Sequence, residues 1–373
     1  MENITTTIDN TIDNNVDVIH DAILDATTDT INHIVNSIDT SNTSNTSNTS
    51  NTSNTSNTPN TSNTSNTSVP IIKHLVIGGG GPFGLTAFGA LKYLHEKHFW
   101  DIKNIKTIYA TSIGALMALY ISIGYDYDYI NEYMVKRPWE KLFEDIGFQN
   151  ILDLYNNKGI IDIYPIYMKA YNILFEAKGL SPHITMKEFY EYSKIELNFI
   201  TCDVNRFSRI IISHKTHPDI EIITALCMTS AFPVIFKPII IEDKCYTDGG
   251  IFSNYAVNIC LEETGCKKEE ILGIKKYQSM DINDDLINEE SNIVDFLEKG
   301  IFNVFKCISD EHVLENIPYE VICKMTVFST YDSWIQVPFS SEHRANLINY
   351  GIEISEKKLD EFLLYHNEHK NIG

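Results

Sequence analysis

Ile71-Ile72-Lys73-His74-Leu75-Val76-Ile77-Gly78-Gly79-Gly80-Gly81-Pro82-Phe83-Gly84 is the stretch on which the fold turns. Its mostly apolar first half predicts a short buried strand over 71–77. Four glycines break that strand, and residues Phe83 to Lys97 then show helical spacing, with Leu91 and Leu94 on one side. Glycines permit positive φ and a close approach of backbone to a ligand. Their N–H groups, next to a helix N-terminus, make a place for negative charge. Two uses fit this loop besides a plain glycine-rich turn. Gly79-x-Gly81-x-x-Gly84 matches a dinucleotide fingerprint, and the same N–H groups can serve as an oxyanion hole for acyl transfer.

Outward from the loop, strands and helices alternate. Ile105 to Tyr109 predicts a second strand and Ala115 to Ile123 a helix of small residues. Residues 125–194 read as mainly helical, with Thr185-Met186-Lys187-Glu188 as a capping box. Glu196 to Cys202 and Arg209 to Ser213 predict two more strands. The region after Asp281 reads as helical, with one strand near Tyr319 to Phe328. Such alternation predicts an α/β domain with a largely parallel core sheet. A dinucleotide site would call for an acidic residue about 20 residues on, at the end of the second strand. Ala110-Thr111-Ser112-Ile113-Gly114 stands there instead.

That pentapeptide resembles a nucleophile elbow, in which small residues flank a serine because strand and helix backbones come close at the turn. Ala110, Gly114 and Ala115 meet the need, and Ser112 would stand at the N-terminus of the next helix. A helix-capping serine is the plainer reading of the same residues. Further on, Tyr246-Thr247-Asp248-Gly249-Gly250 follows the apolar Ile239-Ile240-Ile241. Alone, an Asp followed by two glycines reads as a turn. After a glycine loop and a serine elbow it reads as the carboxylate that completes a site.

In that order the three motifs resemble those of the patatin-like phospholipases. The likeness extends to Gly89-Ala90-Leu91-Lys92-Tyr93-Leu94, to Ser230-Ala231-Phe232-Pro233 followed by Phe236-Lys237-Pro238, and to Asn254 after the last motif. It covers roughly residues 70–280. It departs from the family at Phe83, where Arg or Lys is common, and at Ala110, where Gly is usual.

The resemblance implies a three-layer α/β fold, its mainly parallel central sheet flanked by helices, and a serine acyl hydrolase with Ser112 as nucleophile, Asp248 as base, and Gly79, Gly80, Gly81 and Gly84 about the oxyanion hole. Ala110, Gly114, Gly249 and Gly250 would support the two motifs, and no metal or cofactor would be needed. The implied substrate is a phospholipid or another long-chain acyl ester cleaved in the phospholipase A manner, with transient contact to a membrane surface. Tyr125, Tyr127, Tyr129 and Tyr133 either flank an acyl channel or, more plainly, pack a helix face. Phe236-Lys237-Pro238-Ile239-Ile240 could contribute to an interface. The rivals are a Ser-His-Asp esterase using His312 or His343, a catalytically silent lipid-binding effector, and a nucleotide-binding enzyme.

Composition limits the partners. The chain has 373 residues and a formal net charge of −21, which argues against a general nucleic-acid footprint. Residues 1–69 hold eight acids and no Lys or Arg. Within 1–41 the isoleucines and aspartates recur at helical spacing, predicting an amphipathic acidic segment. Residues 42–69 repeat Asn-Thr-Ser and read as a disordered linker. The core is expected over 70–280, with a mainly helical part over 281–373. Seven irregularly spaced cysteines, no visible secretory signal and no long apolar run predict reduced thiols in an intracellular, cytoplasmic protein, its oligomeric state left open.

Overall fold

The computed structural model describes residues 69–143, 157–277, 315–324 and 336–369, with a few more between 287 and 304. The acidic segment and the Asn-Thr-Ser tract therefore lie outside the described residues, as does His312.

The strand ahead of the glycines is β1, His74–Ile77. It continues through the loop into α1, Phe83–Glu96. β2, Thr107–Thr111, pairs with β1 in parallel, His74 facing Thr107. α2, Ile113–Ser122, follows β2 after a single residue, Ser112. Three helices come next: α3, Tyr127–Lys136; α4, Ile163–Ala177; and α5, Met186–Ser193. The predicted capping box starts α5, with the Glu188 N–H donating to Thr185 Oγ1 at 3.2 Å and the Thr185 N–H to Glu188 Oε2 at 2.8 Å. Short β3, Gly159–Ile161, interrupts this region and pairs in parallel with β6, Val234–Phe236. Between them run β4, Glu196–Asp203; β5, Ser208–Ile212; and α6, Ile222–Ser230.

The remaining elements are β7, Ile239–Ile241; β8, Lys244–Asp248; α7, Gly250–Ser253; α8, Val257–Thr264; β9, Ile271–Tyr277; β10, Tyr319–Lys324; and α9, Ser341–His369. The eight-stranded sheet runs β10-β9-β1-β2-β4-β8-β7, with β5 also on β4. Its five strands from β10 to β4 are parallel; β5, β7 and β8 are antiparallel additions.

Alternate residues of each central strand enter different cores. Leu75, Ile77, Ile108 and Ala110 face a large core with α1, α2, α4, α5, α6 and α9, while Val76 and Tyr109 face a smaller one with α8. Layers of helices on both faces follow from strands that are apolar on both sides. The clustered tyrosines serve packing. Tyr127 lies on Phe88 and His95, Tyr133 meets Tyr120 and Trp139, and the Tyr125 hydroxyl donates to Leu174 O at 2.8 Å. α9 crosses α1 at two glycines, since a Cβ on Gly89 would sit 2.0 Å from Ile348 O, and one on Gly351 2.0 Å from Thr86 O. Among the described residues, no helix is long and apolar enough to cross a membrane.

The register of β4 brings two distant segments together. Its residues 199–200 pair with both β2 and β5, and residues 201–203 with both β5 and β8. β5 thus takes one edge of β4, and β2 and β8 share the other, end to end. Thr111, the last residue of β2, faces Ile200, and Asp248, the last residue of β8, faces Thr201. Two strands running toward each other therefore deliver Ser112 and Asp248 to one point.

Candidate active site

Ser112 joins β2 to α2 with φ 54° and ψ −129°, a conformation that an L-residue holds only where the surroundings enforce it. The enforcement is visible. The Ser112 N–H donates to Thr229 Oγ1 at 3.0 Å, and that hydroxyl donates onward to Ile200 O. The following turn packs so closely that a Cβ at Gly114 would lie 2.5 Å from Ile77 O. Ala110 is buried behind the turn. These are the demands of an elbow, and they exceed those of a simple helix cap.

The Ser112 side chain stands close enough to the Asp248 carboxylate to favour its charged form, and that carboxylate is 5% exposed. Asp248 Oδ1 also accepts the Gly250 N–H at 2.8 Å, and the Asp248 N–H donates to Ala231 O at 3.0 Å. Gly249 is pressed against Ile200, where a Cβ would stand 2.1 Å from the carbonyl oxygen. Burial pushes the Asp248 carboxyl up from 3.8 to about 6, against the opposing pull of the Ser112 hydroxyl and the Gly250 N–H. Nearby Asp203 is equally buried and behaves oppositely. Burial works to raise it, but Arg206 and the N–H groups of Cys245 and Asn205 outweigh that and hold it below the ordinary carboxylate range. One aspartate is locked as a charged structural anchor; the other is left close to proton exchange at neutral pH.

The glycine loop lies against the serine. A Cβ on Gly79 would be 3.1 Å from Ser112 Cβ and 2.5 Å from Asn254 Oδ1. Not all four expected glycine donors are free. The Gly79 N–H donates to Asn254 O and the Gly84 N–H to Gly81 O, each at 3.0 Å. Gly80 and Gly81, at φ 139° and 57°, keep N–H groups that no group among the described residues accepts. Phe83, where the family often has a base, is wholly buried in the large core. That burial contributes roughly 2 kcal/mol, and a cation in the same place would need a partner.

Among the described residues, no histidine partners Ser112 or Asp248. His343 sits on α9, where its N–H donates to Ser340 Oγ at 3.0 Å. The metal-capable cluster of His74, Cys266 and Glu270 lies at the start of β1 and β9, the opposite end of the sheet from Ser112, and Lys73 already engages Glu270. Six described cysteines are unpaired thiols, four of them buried. Thr229, Asn254's hold on Gly79 and the nearby Lys276 escaped the sequence reading of the site. Only Asn254 carried a signal, as part of the third motif.

The patatin-like phospholipase family model matches residues 75–261. Over 188 residues the chain is 29% identical to the uncharacterized protein R571 of Acanthamoeba polyphaga mimivirus, covering 50% of this chain and 61% of that protein. It is 28% identical over 200 residues to the probable lipid hydrolase 463L of Invertebrate iridescent virus 6, covering 51% and 63%. The chain thus spans about six-tenths of the length of these curated relatives. Among solved structures, VipD from Legionella pneumophila aligns over 78% of this chain and 67% of that one, at 18% identity and a TM-score of 0.46. With the family model spanning half of the sequence, from β1 into α8 and across all three motifs, this chain belongs to the patatin-like phospholipase family.

Proposed function

We propose that this protein is a lipid acyl hydrolase of phospholipase A type, working through Ser112 and Asp248. The observation that carries the reading is the meeting of a strained elbow serine with a buried aspartate, at the facing ends of β2 and β8, whose carboxyl burial pushes up to about 6. In this reading Ser112 Oγ attacks the ester carbonyl carbon as Asp248 takes its proton. The carbonyl oxygen becomes an oxyanion held by the Gly80 and Gly81 N–H groups. The bond to the alcohol breaks, Asp248 returns the proton to the leaving oxygen, and an acyl-serine remains. Water then attacks the acyl carbon, giving its proton to Asp248. The fatty acid leaves, and Ser112 regains its hydrogen.

The near-neutral carboxylate supports the role of Asp248, since a base working near pH 7 gains from a pKa close to that pH. A histidine-dependent triad finds no support in the partners of Asp248. Exposed Ile240 on β7 supports transient contact with a lipid surface. The test is fatty-acid release from a phosphatidylcholine with different acyl chains at its two positions, followed by mass spectrometry. The wild type should release fatty acid, and Ser112→Ala should release none. Equal release by Ser112→Ala would sink the proposal. A folded wild type that binds the lipid without cleaving it would favour a silent lipid-binding protein.

A further inference from the structure

Lys276 is a cation that the scheme above does not use. It stands near the end of β9, beside the glycine loop, because Gly78 N–H donates to Ile274 O and β9 runs parallel to β1. Its stem covers the face of Gly80 where a side chain would grow. A Cβ there would meet Lys276 Cδ at 2.6 Å and Nζ at 3.3 Å. The residue is half-buried. Among the described residues no carboxylate pairs with it, whereas its neighbours Lys275 and Lys324 at least face the rings of Tyr255 and Tyr277. Loss of hydration alone lowers its pKa to about 8.

The surroundings add positive character. α1 begins at the loop with no acidic residue in its first turn and no side-chain cap. An enclosed ammonium without a counter-charge is costly unless an anion joins it. The Lys276 ammonium thus lies against Gly80, one residue beyond the Gly79 that faces Ser112. In a glycerophospholipid, the phosphate stands a comparable short step from the neighbouring acyl ester, two glycerol carbons away.

We propose that Lys276 forms an anion subsite behind Gly80 that takes the phosphate of the acyl-ester substrate, making it a specificity-determining residue for phosphate-bearing over neutral glycerolipids. This rests on the hydrolase reading above. It is tested on the full chain with a short-chain diacylglycerophosphate and the diacylglycerol of equal acyl length. The ratio of their kcat/KM values should fall at least tenfold in Lys276→Gln and be kept in Lys276→Arg. A ratio equal to wild type in Lys276→Gln, or an equal fall in both variants, overturns the assignment. Should the wild type cleave neither lipid, the hydrolase reading fails on its own, and calorimetric binding to Ser112→Ala decides the subsite. Binding should favour the diacylglycerophosphate and lose that preference when Lys276→Gln is added; no preference in Ser112→Ala refutes it. A thermal melt confirms folding of each variant.

Discussion

Asp248→Asn should make the protein more stable while removing its reactivity. Burial raises the Asp248 carboxyl from 3.8 to about 6. Each pKa unit corresponds to about 1.36 kcal/mol, so the charged carboxylate costs the folded state roughly 3 kcal/mol above pH 6. The sign follows from proton counting. Between pH 3.8 and about 6 the folded chain holds a proton here that the unfolded chain has lost, so stability falls as pH rises through that window. Asparagine is neutral throughout and keeps an acceptor for the Gly250 N–H. Weaker hydrogen bonds to an amide take back part of the gain, leaving about 1–3 kcal/mol at pH 7.5. In a domain of this size that is a rise of roughly 3–8 °C in Tm. Urea unfolding at pH 7.5 and 4.5 measures it, and the gain should shrink at the lower pH. An Asn variant no more stable at pH 7.5, or equally stabilised at both, would refute the claim that this site holds a strained charge.

The same raised pKa predicts that the rate of serine labelling climbs with pH through about 6 and then levels; a flat profile from pH 5 to 8 would contradict it. Thr229→Val removes the acceptor of the Ser112 N–H, so it should cost about 1–3 kcal/mol in denaturant unfolding and slow labelling. Thr229→Ser should restore both. His343→Ala should keep most of the labelling, and its complete loss in a folded variant would revive the histidine-dependent triad.

Local signals carried much of the fold. The glycines after a buried strand, the small residues about Ser112 and the Thr185–Glu188 box each specify their own structure within a few residues. α6 and the first half of β9 left weaker traces, because a short apolar run buried on all sides shows neither period clearly. The β2–β8 meeting on one edge of β4 is a property of register, which no local pattern records. The motifs named Ser112 and Asp248 as partners without that geometry. By contrast, Thr229 looked like any helix residue, and nothing in its neighbours marks it as the acceptor for an elbow N–H. Lys276 lies outside every motif and gains meaning only from Gly80, far away in the chain. Gly79 and Gly84 matched the motif as donors, yet tertiary contact and the first turn of α1 consume their N–H groups.

In the proposed mechanism Ser112 is an activated nucleophile and Asp248 activates it. Intact-mass analysis after exposure to a fluorophosphonate probe tests this most directly, on the wild type, Ser112→Ala and Asp248→Ala. One adduct is expected on the wild type, none on Ser112→Ala, and little or none on a folded Asp248→Ala. An unlabelled, well-folded wild type, or an adduct that survives in Ser112→Ala, would contradict it.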